Sequence, residues 1–450
     1  MRPKGKHPST GDLFQQPLAE LINLKHPLVK LVELIDWSVF ETRWADFFPS
    51  RTGRPASSPR LIAGLLYLQH TFSCSDEDLV WTWVENPYWQ HFCGETYFQH
   101  EQPIDPSSMT RWRQRVGEEG VEWLLTETIE AARRGKVVKA KSFEKIIIDT
   151  TVMEKAVAYP TDSRLLERGR QHLVKLASVL GITLRQNYNR EAPRLAVQVG
   201  RYAHAKQFRR MKASLKSLRT VVGRVWRDID RKLDRQDEMQ CAKAASILGR
   251  VKRLLEQKPK DKNKLYSLHA PEVECISKGK ARQPYEFGVK VTVATTHKEG
   301  LVVGMRSLPG NPYDGHTLPE AIEQVSILTA QKPKAVFVDK GYRGVSVDGV
   351  TIWRSGQKRG VTPSIRKAIH RRSAVEPAIG HMKNEGKLRR NWLKGSLGDA
   401  LNAVLCGAGH NLRMILRAIR LFYAWMLCFS IADNNRRQSP LPEFRRFAVL

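Results

Sequence analysis

Two short apolar runs, each closed by an aspartate, restrict this chain more than any other feature. FEKIIIDTTVM, residues 143 to 153, sets three isoleucines before Asp149, and KAVFVDKGYRG, residues 334 to 344, sets Val-Phe-Val before Asp339. Short apolar runs of this kind, rich in β-branched residues, suit strands buried on both faces, with helices above and below the sheet. Each strand is expected to end at its aspartate. A carboxylate at the tip of a buried strand is costly unless it is paired or binds a metal. The fold must therefore be α/β, and it must offer these acids a cation.

The segments around the two strands extend that sheet. YEFGVKVTVATTH alternates and then runs apolar, and LVVGMRSLP pairs plausibly with it across KEG as a hairpin. DGHTLPEAIEQVSILTA has the spacing of an amphipathic helix, TIWR suits a further short strand, and SIRKAIHRRSAVEPAIGHMKNEGKL reads as helical despite Pro377. The order is a strand with Asp149, a helical insertion, two strands, a helix, and the strand with Asp339. A mixed sheet of this kind is the expected catalytic domain, residues 140–160 and 282–432.

Residues 161–281 form the insertion, mainly helical and basic. Met211, Leu215, Leu218, Val222, Val225 and Ile229 follow a 4-3-4-3-4 spacing, a coiled-coil-like seam. The seam either joins a helical hairpin that touches DNA or a second subunit, or packs within its own domain with the charges solvated. Residues 1–135 read as helices broken by RTGRPASSP. In SDEDLVWTWVEN a serine caps a helix with acids in its first turn, and in DPSSMTRWRQRVG Ser107 or Ser108 offers another cap. That last helix would expose Thr110, Arg111, Gln114 and Arg115 and turn Trp112 and Val116 inward. Arg111 and Gln114 near a helix start suggest a helix-turn-helix-like reader of DNA; the alternative is a bundle with a solvated basic face. Residues 433–450 are a basic tail.

Composition says what the partner is. The 450 residues carry 75 Lys and Arg against 45 Asp and Glu, a net charge of +30. Such an excess calls for a polyanion, most simply double-stranded DNA. A membrane is the rival, but the best apolar run, LFYAWMLCFSIA at 421 to 432, is too short to span and suits a buried C-terminal helix. The N-terminus has no apolar signal segment, and the six cysteines make no CxxC pair, so a cytoplasmic location without zinc or disulfides is expected.

A third acid joins the two aspartates. Glu376 lies on the helical segment after the second strand, with Arg372 before it and Lys383 after it. Three carboxylates at one point repel unless a cation intervenes. Oxygen-only ligands suit Mg²⁺ or Mn²⁺, and two such ions roughly 4 Å apart would activate a nucleophile and steady a leaving oxygen of a phosphodiester. Lys340 and Arg343 would then face the phosphates, and Arg372 and Lys383, one and two helical turns from Glu376, are expected to grip phosphates next to the scissile bond rather than to hold the glutamate. Asp314 either stands near these acids or, more simply, caps the helix that follows it.

Several stretches together resemble the DDE transposases of bacterial insertion sequences, closest to insertion-sequence family five: GRPASSPRLIAGLLYLQ, IIIDTTV, GNPYDGHTL, VFVDKGYRG and RRSAVEPAIGHMKNE. The resemblance spans about residues 20 to 415. It implies a ribonuclease-H-like fold, a metal triad at Asp149, Asp339 and Glu376, and a signature Arg and Lys at Arg372 and Lys383. The signature tyrosine three residues before that Arg is Ile369 here. The resemblance also implies cleavage at the terminal inverted repeats and joining of the ends to target DNA, with two Mg²⁺ ions and a homo-oligomer on the DNA. Two other readings stay open: a non-enzymatic DNA-binding repressor derived from a transposase, and a ribonuclease-H-like nuclease without strand transfer.

Overall fold

The computed structural model describes residues 16–47, 56–233, 238–277 and 284–438. The tail from 439 onward and residues 51–55 of the RTGRPASSP break lie outside these. The chain opens with helices α1 (Leu18–Leu21), α2 (Pro27–Leu34), α3 (Ser38–Arg43), α4 (Pro59–Phe72), α5 (Asp76–Glu85), α6 (Pro87–Phe92) and α7 (Ser108–Arg134). Local chemistry sets their starts. Ser58 Oγ accepts from Leu61 N–H with Pro59 in the first turn of α4, and Ser75 Oγ accepts from Asp78 N–H at α5. At α7 neither serine caps. The Ser107 hydroxyl donates to Asp105 Oδ1 instead, as does the Ser107 N–H at 2.8 Å, and Ser108 Oγ accepts from Arg111. Gly117, at φ 63°, bends α7 sharply after its second turn.

The sheet follows. β1 (Lys145–Lys155) leads into a helical insertion made of α8 (Asp162–Val179), α9 (Glu191–His204), α10 (Phe208–Leu233) and α11 (Glu238–Glu256). Then come β2 (Glu274–Ser277), β3 (Tyr285–Thr296), β4 (Val302–Leu308), α12 (Asp314–Thr329), β5 (Ala335–Val338) and β6 (Thr351–Arg354). α13 (Pro363–Arg371), α14 (Val375–Asn384), β7 (Arg390–Asn391) and α15 (Gly395–Gln438) close the chain. β1 is central. β3 runs antiparallel along one side of it, and β5 and β7 lie parallel on the other, at opposite ends of the strand. β4 and β2 share the outer edge of β3, and β6 extends the sheet parallel to β5.

The hairpin of β3 and β4 and the strand status of TIWR match the expectations from sequence, and the element order departs from them at β2, a strand within 161–281 that pairs with β3. Two further expectations do not hold in these elements. Asp149 is not at a strand tip: β1 runs on to Lys155, since β3 is long enough to pair with it from Ile146 through Glu154. The run 421 to 432 is helical, but its described side chains are not buried. Leu421, Phe422 and Trp425 are exposed, because α15 extends past the helices it packs on, and its last well-buried residues are Ile415 and Leu416.

The isoleucines of β1 serve two cores, as the twofold period of a strand requires. Ile146 and Ile148 join a continuous apolar core with α4, α7, α12 and α15. Ile147 faces the other way, onto Phe337, Ile369 and Val375. The N-terminal helices thus share one core with the sheet. The insertion has its own core: Leu218, Val222, Val225 and Ile229 of the α10 seam pack against Leu166, Leu173 and Val251 of α8 and α11. From Leu215 to Ile229 the seam is covered within its own bundle, and most basic side chains of α10 lie outside it.

Candidate active site

Parallel pairing of Ile147 with Phe337 fixes which face the two aspartates share. Two residues further on, Asp149 and Asp339 lie side by side on the face covered by α13 and α14. One side chain meets both. Arg372 Nη2 lies 2.9 Å from Asp149 Oδ2 and 3.8 Å from Asp339 Oδ1. Arg372 is 8% exposed, and its Nε is buried with no hydrogen-bond partner among the described residues.

The local sequence explains how Arg372 gets there. α13 stops at Arg371, and Arg372–Ala374 form a single 3-10 turn before α14 begins. Ile369 on one side of this turn and Val375 on the other pack onto Ile147 and Phe337, so the turn is pressed against the sheet directly beneath the acids. Arg371 NεH donates to the His297 carbonyl, and His297 Nε2 bonds the Ala368 carbonyl, which ties α13 to the end of β3. Ile369, in the position of the signature tyrosine, is thus part of this apolar clamp.

Glu376 stands exposed in the first turn of α14. Among the described residues no hydrogen bond or ion pair joins it to either aspartate, and no three His, Cys, Asp or Glu side chains are grouped so that they could hold a metal ion. Val375 on Ile147 nevertheless fixes the start of α14 beside the acids. Lys340 and Arg343 are exposed in the turn after β5, and Lys383 is half-buried on α14. Arg111 and Gln114 are exposed on the first segment of α7, with Thr110 and Arg115, while Trp112 and Val116 are buried. Arg113 between them is buried in a pair with Asp76 and donates to Gln69 at 2.8 Å.

Sequence reasoning missed a second group of polar residues beside the acids. Asp314 does not cap α12 with its side chain; no side-chain cap bond forms there. Its carboxylate accepts from Lys290 Nζ at 3.1 Å and from Thr150 Oγ at 3.2 Å, and it lies against Gly341, where a Cβ would come 3.3 Å from Asp314 Oδ2. Tyr342 is 1% exposed, and its hydroxyl has no hydrogen-bond partner among the described residues. Burial first, then the charges of Asp314 and Asp149, push its pKa well above the ordinary tyrosine range. The fourth acid was legible as an option. Lys290 and Thr150 were not, because their meeting depends on the register of β1 against β3.

The chemistry of this site is that of a cation held by carboxylates. Asp149 and Asp339 already share one cationic nitrogen, and hard oxygen donors of this kind fit a divalent ion between them. Comparison with known proteins gives the same direction. The family model "Transposase domain (DUF772)" matches residues 16–115, and "Transposase DDE domain" matches residues 256–400. The chain belongs to the DDE transposases of insertion sequences. The DDE match contains Asp339, Arg372, Glu376 and Lys383 and begins after Asp149. A Rhizobium meliloti protein described as "Uncharacterized protein ORF8 in nfe locus" is 48% identical over 208 residues, 46% of this transposase and 100% of that protein. No solved structure matches the transposase. Transposases of this family act on DNA and generally use divalent metal ions. No helix among the described residues is long and apolar enough to cross a membrane.

Proposed function

We propose that this transposase, of the family-five type, binds the terminal inverted repeats of its own insertion sequence and catalyses metal-dependent strand cleavage followed by strand transfer. The observation that carries this reading is the cationic nitrogen that Asp149, on β1, shares with Asp339, just past the end of β5. The sheet order, with three antiparallel strands β4, β3 and β1 followed by parallel β5 and β6, supports a ribonuclease-H-like reading. Asp149, Asp339 and Glu376 would hold two Mg²⁺ ions, or Mn²⁺ in their place. These ions would supply a water of lowered pKa and neutralise charge at the phosphodiester. For Glu376 this requires its exposed side chain to turn toward the aspartates.

The chain's own residues do the rest. Lys340 and Arg343 lie in the turn after Asp339, where they orient phosphates, and Lys383 extends the same basic face along α14. Arg111 and Gln114 point outward on α7, as residues that read base edges must. DNA-bound copies of the chain form a homo-oligomer. The central test replaces each acid. Asp149→Asn, Asp339→Asn and Glu376→Gln are each expected to lower cleavage of an inverted-repeat duplex by more than about a hundredfold, while DNA affinity stays within about threefold, because the basic surface is kept. Cleavage at the wild-type rate by any one of them removes that residue from the site.

A further inference from the structure

We propose that Arg372 is an internal counter-cation that occupies the metal position of the DNA-free protein, so that the guanidinium and a divalent ion exclude each other and bound DNA favours the ion. This inference rests on the metal-dependent reading above and deepens it.

Electrostatics comes first. Two carboxylates side by side repel, and a buried guanidinium without a partner is costly. In the DNA-free protein each offsets the other: Arg372 is 8% exposed, and one of its nitrogens lies within ion-pair distance of an oxygen of Asp149 and of an oxygen of Asp339. A magnesium-sized ion sits about 2.0–2.1 Å from its oxygen ligands. An ion held by the same two carboxylates would set a second positive charge beside Nη2, so the guanidinium and the ion compete for the two acids.

Arg372 is also placed to leave. It belongs to a three-residue turn between two helices, where a change of rotamer breaks no helical ladder. Its Nε makes no hydrogen bond among the described residues, so that part of the guanidinium holds nothing in place. The surrounding surface attracts polyanions. Lys340 and Arg343 are exposed in the turn that follows Asp339, and Arg366 and Lys367 are exposed on α13, the helix that leads into Arg372. A phosphate drawn there offers Arg372 a bidentate partner, which a carboxylate shared with a second carboxylate does not. Moving the guanidinium onto a phosphate vacates the cation position and leaves two acids unneutralised, which raises affinity for a divalent ion. By linkage, the ion must raise affinity for DNA by the same factor. Metal loading and DNA binding become one event, and the unloaded site carries no reactive ion.

The test measures Mn²⁺ binding to the full chain by calorimetry, with no activity readout. Without DNA, Arg372→Gln should bind Mn²⁺ about tenfold more tightly than wild type, within the usual range of coupling between sites. Adding Asp149→Asn to that variant should remove the gain. Lys212→Gln, which removes an exposed positive charge on α10 of the insertion, should leave affinity unchanged. In wild type, a bound random-sequence duplex should tighten Mn²⁺ binding by a similar factor, and in Arg372→Gln it should not. The wild-type arm decides even where the variant does not fold. Equal or weaker Mn²⁺ binding by Arg372→Gln, or no effect of bound duplex on wild type, overturns the exclusion and leaves the metal site standing. Absence of any Asp149-dependent Mn²⁺ binding in all forms overturns the metal-dependent reading and the exclusion with it.

Discussion

Tyr342 follows Asp339 by three residues and buries its hydroxyl in the core behind the acids. A buried hydroxyl without a partner is destabilising, so its removal should cost nothing. Tyr342→Phe is expected to leave stability unchanged or to raise it by up to about 1 kcal/mol, read from the urea midpoint. A loss of more than about 1 kcal/mol would show that the hydroxyl is bonded to one of the neighbouring carboxylates. Asp149 and Asp339 could be read from sequence because each interrupts an apolar run that has no other use for a charge. Arg372 was visible as a neighbour of Glu376, but its partner was not. A helix through 372 and 376 would set the two on one face, whereas the 3-10 turn buries Arg372 and leaves Glu376 in solvent.

At the level of elements, the close pairing of β1 and β3 depends on Gly288. It sits opposite Glu154, and a Cβ there would fall onto the Met153 carbonyl and the Glu154 backbone. Backbone cannot yield as a flexible side chain can. Gly288→Ala should therefore destabilise the protein by roughly 1–3 kcal/mol, the usual cost of overpacking, and should raise amide exchange at the Thr150–Lys155 end of β1. Unchanged exchange there would mean that the strands tolerate the wider spacing. Helices were legible from serine caps and apolar period, and the β3–β4 hairpin from its alternation. β2 was not legible: four residues, Glu-Cys-Ile-Ser, carry little pattern of their own and become a strand because the outer edge of β3 extends beyond β4. The end of α15 misled for the opposite reason, since its apolar residues imply a covering surface that the described residues do not provide.

For the molecule as a whole, one core joins the N-terminal helices, the sheet and α15, and His410 is one of its polar fastenings. Its Nε2 lies 3.3 Å from the Gly300 carbonyl in the β3–β4 turn. Burial, reinforced by Arg413 and opposed by the Gly300 bond, lowers its pKa from 6.5 to about 4. The unfolded chain therefore takes up this proton first as pH falls. The stability linked to His410 is fully present above about 6.5 and is lost as pH falls toward about 4. His410→Gln should flatten part of the decline in urea midpoint across that window while lowering the midpoint at neutral pH. An unchanged slope would assign the decline to other groups, such as His70, whose pKa burial lowers to about 3. The shared core was hidden from sequence, because composition and spacing mark where helices begin but not which surfaces they cover.

The insertion of α8–α11 has a consequence for how the chain assembles. It sits between β1 and β3, which are antiparallel neighbours, so in topological terms the whole bundle is the loop of a hairpin. An unstructured loop of that length would tax the pairing of the two strands through closure entropy, which grows with the logarithm of loop length. A bundle with a core of its own can form first. Once folded it holds its two ends at a fixed separation, and the polymer that must close is then only the short lengths of chain on either side. The strand that carries Asp149 thus finds its partner across a prefolded spacer rather than a long random coil, and sequence changes that loosen the bundle would slow the meeting of the central strands without touching a single residue of the sheet.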